Sequence, residues 1–160
     1  SIEGVTIANY NCPGQIVITG LKDAVIMAGE KLNNAGAKRT VELKVSGPFH
    51  SPYLIEAGNK LKKELEKIKL TPLKVPYVAN LTADYVNDIS MTKELLKKQV
   101  YSPVKWEQTM EKMIADGVDT FVEIGPGRTL SGFLRKIDRT VKVHNVSKFE
   151  DIEKVKEQLC

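Results

Sequence analysis

The sequence predicts an α/β protein. Runs rich in β-branched residues alternate with stretches whose apolar side chains recur every three or four positions, the pattern of strands joined by helical crossovers. The composition agrees, because 42% hydrophobic and 28% charged residues among 160 suit a packed globular chain. A third observation is punctuation: Pro-Gly, Asn-Asn-x-Gly and Gly-Pro-Gly clusters separate the runs, marking turns and helix stops.

Residues 5–10 and 15–19 are rich in β-branched residues and flank Asn11-Cys12-Pro13-Gly14. Proline presets φ and glycine tolerates positive φ, so this reads as two strands across a type II turn. Residues 22–35 predict a helix with Val25, Ala28 and Leu32 on one face, stopped by Asn33, Asn34 and Gly36. Val41, Leu43 and Val45 alternate, which predicts a half-buried strand over 40–45. Residues 51–70 form the longest helical pattern, with Pro52 in the first turn and Leu54, Leu61, Leu65 and Ile68 at helical spacing. A short apolar strand is expected over 75–81, then helices over 92–100 and 105–115, the second carrying Trp106, Met110, Met113 and Ile114 as a stripe. Residues 119–124 predict a strand, 129–137 a helix entered through Gly125-Pro126-Gly127, 140–146 a strand and 149–159 a final helix. The strands of this second part are expected to form a parallel sheet.

Several function classes are excluded. The apolar fraction argues against disorder, and Cys12 and Cys160 are too few for a disulfide scaffold. No apolar run is long enough to span a membrane and no leader pattern opens the sequence, so a cytoplasmic globular chain with no membrane association is expected. The net charge of +4 is spread out, and the lysines between residues 60 and 74 are diluted by Glu64 and Glu66 with no interleaved aromatics. That pattern suits a solvated helix face better than a nucleic-acid surface. No metal site is expected, since two Cys and two His lack ligand spacing.

His50 is the most informative residue. It lies in Ser46-Gly47-Pro48-Phe49-His50-Ser51-Pro52, at the start of the long helix. A histidine there is placed either to act as a base in a cleft or to hydrogen-bond the loop itself. His144, within a strand, reads as structural. Gly125-Pro126-Gly127 invites comparison with phosphate-binding loops, but the Walker pattern fails at Phe133 and the dinucleotide pattern fails at Leu130. A tight strand-to-helix turn is the better account. No G-x-S-x-G nucleophile elbow occurs.

The stretch Asn9-Tyr10-Asn11-Cys12-Pro13-Gly14-Gln15-Ile16-Val17-Ile18-Thr19-Gly20 closely resembles the N-[FY]-N-x-P-G-Q-x-V-I-x-G segment of malonyl-CoA:acyl carrier protein transacylases. The resemblance continues in order through Ala35-Gly36-Ala37-Lys38-Arg39, Pro48-Phe49-His50-Ser51, Tyr101-Ser102-Pro103-Val104-Lys105-Trp106, and Glu123-Ile124-Gly125-Pro126-Gly127 with Leu130 and Gly132. It implies malonyl transfer from coenzyme A to acyl carrier protein in fatty acid synthesis, by a ping-pong route through an acyl-serine. The family's elbow serine, its carboxylate-binding arginine and its N-terminal oxyanion-hole glutamine all precede the matched region. The sequence thus looks like the C-terminal half of such an enzyme. Residues 1–47 would be the remainder of a ferredoxin-like small subdomain, and 48–160 the C-terminal part of an α/β-hydrolase-like large one.

Carried over residue by residue, the resemblance makes His50 the general base toward the serine hydroxyl and then the acid toward the leaving thiolate. Gln99 matches the residue whose backbone carbonyl orients that histidine. Asn9, Asn11 and Gln15 match a cleft-lining strand edge, where amides bind the pantetheine arm, order water or merely stabilise the turn. Lys38 and Arg39 match a basic pair facing cofactor and carrier, with a solvated helix end as the alternative. Phe49 resembles the bulky residue of malonyl-selective members. No tightly bound cofactor is implied; the coenzyme A thioester is a substrate, and the carrier protein is the macromolecular partner. A chain lacking the covering half is expected to be inactive alone, and to pair either with that half or with a second copy. The competing readings are a polyketide synthase acyltransferase domain, a non-catalytic carrier-binding module, and a phosphate- or nucleic-acid-binding α/β protein.

Overall fold

The computed structural model describes residues 2–159, so Ser1 and the thiol of Cys160 lie outside the described residues. The chain opens with an antiparallel hairpin, β1 (Val5–Cys12) and β2 (Gln15–Gly20). Gly14 at the turn has φ +75°, as the Pro-Gly pair requires. The register slips between Ile7 and Asn9 and again between Tyr10 and Cys12. Ala8 and Asn11 are therefore the extra residues of two bulges on β1. Helix α1 (Lys22–Asn34) follows, with Ala28 buried. Its stop is a Schellman turn in which the Ala37 N–H reaches Leu32 O, the Gly36 N–H reaches Asn33 O, and Gly36 sits at φ +94°.

Residues 40–45 form no strand, against expectation. Val41, Leu43 and Val45 are 57%, 52% and 64% exposed, and among the described residues no strand runs beside them. Alternation alone cannot make a strand, because each N–H and C=O needs a neighbour in the ladder.

The long helical pattern is also shorter than its periodicity suggests. A 3-10 turn over Pro52–Leu54 leads into α2 (Ile55–Glu66). The helix winds down where the Lys67 and Ile68 N–H groups bond three residues back, ahead of Pro72, which disfavours helix in the residue before it. Likewise the apolar run 75–81 contributes only β3 (Val78–Ala79), paired with β4 (Asp84–Tyr85) in a small antiparallel hairpin; Pro76 has no N–H to give a ladder.

Asp88 starts the next segment by accepting the Ser90 N–H at 2.8 Å, and α3 runs Thr92–Gln99. β5 (Val104–Lys105) then joins the free edge of β1 in parallel, Asn9 opposite Val104. The opening segment and the later one thus share a three-stranded sheet of order β2-β1-β5. Helix α4 (Trp106–Ala115) precedes a parallel crossover unit: β6 (Thr120–Ile124), α5 (Thr129–Ile137) and β7 (Lys142–Val146). Helix α6 (Asp151–Leu159) closes the described chain. Among the described residues the parallel sheet expected of the second part is divided: β5 pairs in parallel with β1, β3–β4 is an antiparallel hairpin, and β6–β7 is a parallel pair.

The core is thin. Its buried apolar residues are Ala8, Cys12, Ala28, Ala79, Val86, Met110, Leu134 and Val155. The accessible surface is 11351 Å², whereas a compact monomer of 17.8 kDa exposes about 8,000 Å². Ile124 and Phe149 stand 80% and 83% exposed. Among the described residues no helix is long and apolar enough to cross a membrane.

Candidate functional site

The site is built where the loop before α2 meets the C-terminus of α3. The last carbonyls of a helix have no intrahelical partner, and Gln99 O is one of them. His50 Nδ1 lies 3.0 Å from Gln99 O and 3.2 Å from Ser102 O. Both partners are carbonyl oxygens, which only accept, so Nδ1 carries a proton, and in the neutral ring Nε2 then keeps the free lone pair. The imidazole is thereby set in the tautomer a general base needs, without a carboxylate.

The backbone at His50 is left-handed, with φ +58°. A non-glycine residue there sits about 1–2 kcal/mol above its preferred basins, although histidine visits the region more readily than most. Ser51 follows at 0% exposure, its hydroxyl donating to Pro48 O at 2.6 Å. A cleft of about 450 Å³ opens beside the histidine, lined by Phe49, Leu61, Leu65, Leu96, Gln99 and Val100. Most of its wall is aliphatic. Helix α2 comes close to α3 because Gly58 has no side chain: a Cβ there would fall 2.9 Å from Lys97 O of α3 and 2.7 Å from the Tyr101 ring just beyond it.

The expected site residues divide into three groups. His50, Gln99 and Phe49 meet at this cleft. Asn9 lies opposite Val104, two residues beyond the Ser102 carbonyl that His50 contacts. Asn11 and Gln15 stand at the hairpin end of β1 and β2, and the Gln15 amide oxygen accepts from Lys136 Nζ at 3.2 Å on α5; neither lines the cleft at His50. Lys38 and Arg39 are exposed in the segment after α1, away from the cleft lining. Cys12 is fully buried, and burial pushes its thiol up, with the Lys136 charge opposing and the Glu107 charge adding.

The Gly125-Pro126-Gly127 loop does serve as a strand-to-helix turn, with Gly125 and Gly127 at φ +143° and +90°. Two of the N–H groups at the start of α5 are taken by the protein's own carboxylate. Glu123 accepts from Leu130 N–H at 3.1 Å, Ser131 N–H at 2.8 Å, the Ser131 hydroxyl, and the Asn145 amide at 3.1 Å. Burial pushes this carboxyl up, but the Ser131, Leu130 and Asn145 donors outweigh it and hold Glu123 below the usual carboxylate range. An external phosphate would find this helix end occupied. His144 Nδ1 lies 2.8 Å from Gln158 Oε1, tying β7 to α6 as a structural histidine.

Sequence reasoning missed Ser51, Ser102, Gly58 and Glu123 as supports of this region. A backbone acceptor such as Ser102 O leaves no residue-type signal. The buried serine next to the histidine was visible, but its partner was not. Among the described residues no group of three or more His, Cys, Asp or Glu is placed to hold a metal.

The acyl transferase domain model matches residues 1–158. The malonyl CoA-acyl carrier protein transacylase of Bacillus subtilis (strain 168) is 46% identical over 149 residues, spanning 93% of this chain and 47% of that protein. The corresponding protein of Staphylococcus aureus (strain COL) is 40% identical over 146 residues, spanning 91% and 47%. The crystal structure of malonyl CoA-acyl carrier protein transacylase from Clostridium perfringens superposes with a TM-score of 0.91 at 43% identity, covering 97% of this chain and 49% of that one. A malonyl-transacylase in complex with a type II polyketide acyl-carrier protein gives a TM-score of 0.92 at 36% identity, covering 96% and 50%. The chain spans about half the length of the curated relatives it matches.

Proposed function

The chain belongs to the acyl transferase domain family, and on that premise we propose that it supplies the histidine-bearing part of a malonyl-CoA:acyl carrier protein transacylase. The observation that carries the proposal is the pair of backbone carbonyls on His50 Nδ1, which leaves Nε2 free to take a proton. In the proposed reaction Nε2 removes the proton of a serine hydroxyl as the serine attacks the malonyl thioester. It returns that proton to the departing coenzyme A thiolate. In the second half-reaction Nε2 takes the proton of the carrier's pantetheine thiol as the thiolate attacks the acyl-serine, then gives it back to the serine oxygen. The serine is not among these 160 residues. The thioester is a substrate, and no tightly bound cofactor enters.

Phe49 at the cleft supports a malonyl-sized acyl site. Asn9, Asn11 and Gln15 belong to the proposal as pantetheine or water contacts, and Lys38 and Arg39 as exposed partners for phosphate or an acidic carrier. The division at residues 47 and 48 into two subdomains is likewise proposed. The excess exposed surface supports pairing with a polypeptide carrying the rest of the family's length, or with a second copy. A cytoplasmic setting completes the proposal.

The test combines this chain with a polypeptide carrying the first half of a relative and follows malonyl loading of the carrier protein by mass. His50→Ala lowers transfer by roughly 10²–10⁴-fold, while Gln99→Ala, which keeps its carbonyl, costs far less. Undiminished transfer by His50→Ala overturns the proposal.

A further inference from the structure

We propose that Ser51 is the positioning residue for His50: its buried hydroxyl closes the Pro48–Ser51 loop and keeps the imidazole in a single tautomer. The inference deepens the proposed role of His50 and rests on it for its functional meaning.

Three observations carry it. His50 holds a left-handed backbone at φ +58°, so something must keep it from relaxing into an ordinary basin. The ring reaches two carbonyls at once, at 3.0 and 3.2 Å, and a change of φ would swing Cβ and the ring away from both. Ser51 is completely buried, and its hydroxyl donates to Pro48 O at 2.6 Å, bridging the two residues in between. The ends of the bridge are stiff. Pro48 fixes its own φ, and Ser51 O accepts the Leu54 N–H at 3.0 Å to begin the 3-10 turn that Pro52 opens. Among the described residues the hydroxyl is therefore the side-chain hydrogen bond that spans the strained residue, and it acts on the ring through the backbone.

The test is a measurement on the ring itself in the whole chain. Imidazole ¹⁵N shifts distinguish Nδ1–H from Nε2–H tautomers, and exchange of the Nδ1 proton reports how well it is held. Wild type shows the Nδ1–H form. Ser51→Ala shows mixed tautomers and exchange faster by roughly tenfold, the scale of one lost hydrogen bond, while His144 keeps its wild-type signals. Ser51→Thr, which retains a hydroxyl, keeps the wild-type His50 signature. An unchanged His50 signature in Ser51→Ala overturns the proposal. So does equal loss in both variants, or a His144 change that accompanies the His50 change. These signals do not depend on transfer chemistry: active His50→Ala would overturn the catalytic role and leave the positioning result standing.

Discussion

Replacing Gly58 with alanine tests how the cleft is spaced. Gly58 is buried within α2, and on helix propensity alone alanine there stabilises by about 1 kcal/mol. Packing opposes it. The new Cβ would lie 2.7 and 2.8 Å from two Tyr101 ring atoms and 2.9 Å from Lys97 O, against 3.4–4 Å for ordinary contact. The ring can turn, but the carbonyl belongs to the α3 backbone. Reaching 3.4 Å from 2.9 Å requires α2 and α3 to separate by about half an ångström. Overpacking of this kind costs about 1–3 kcal/mol, so a net loss of about 1 kcal/mol is expected. With an m-value of about 2 kcal/mol/M, the urea midpoint falls by about 0.5 M. Tyr101 lies between the two carbonyls that hold His50. The 3.0 Å bond to Gln99 O then stretches toward about 3.5 Å, where little hydrogen bonding remains. Urea unfolding followed by the single tryptophan, Trp106, measures the first effect, and imidazole ¹⁵N shifts measure the second. A variant as stable as wild type with unchanged His50 signals would show that Gly58 does not set this spacing.

Two further outcomes are expected. Glu123→Gln lowers stability near neutral pH by about 2 kcal/mol, because hydrogen bonds to a charged acceptor are lost. The folded-state value of Glu123 is held below its ordinary one. Its contribution is thus fully present above the unfolded value of about 4.3 and lost as pH falls through the lower folded value. Urea curves of wild type and variant should converge in acid; a constant gap refutes the assignment. The Cys12 thiol, buried and pushed up by burial, resists alkylation in the folded chain and reacts on unfolding, as mass mapping of its peptide will show; rapid native labelling contradicts the burial.

The sequence by itself determined what local chemistry can determine. Pro13-Gly14 set the first turn, Gly36 the α1 stop, and Gly125-Pro126-Gly127 the entry to α5, since each depends on backbone preferences within a few residues. The helical stripe of α5 and the flanking strands β6 and β7 were legible for the same reason. His50 stood out by its Pro-rich loop, and the resemblance supplied Gln99 as its carbonyl partner. Tertiary structure decided the rest. Residues 40–45 alternate like a strand yet form none, because a ladder requires a second strand and none of the described strands lies there. The apolar runs did not merge into one sheet, because pairing partners are chosen in space: β1 found β5 across most of the chain. Ser102 became a second acceptor for His50 through its backbone, which no side chain advertises. Glu123 became the anion at the start of α5 because the fold brings Leu130, Ser131 and Asn145 around it. Propensity and periodicity act over one turn or one pleat, whereas a site is assembled by groups that meet only after the chain has packed.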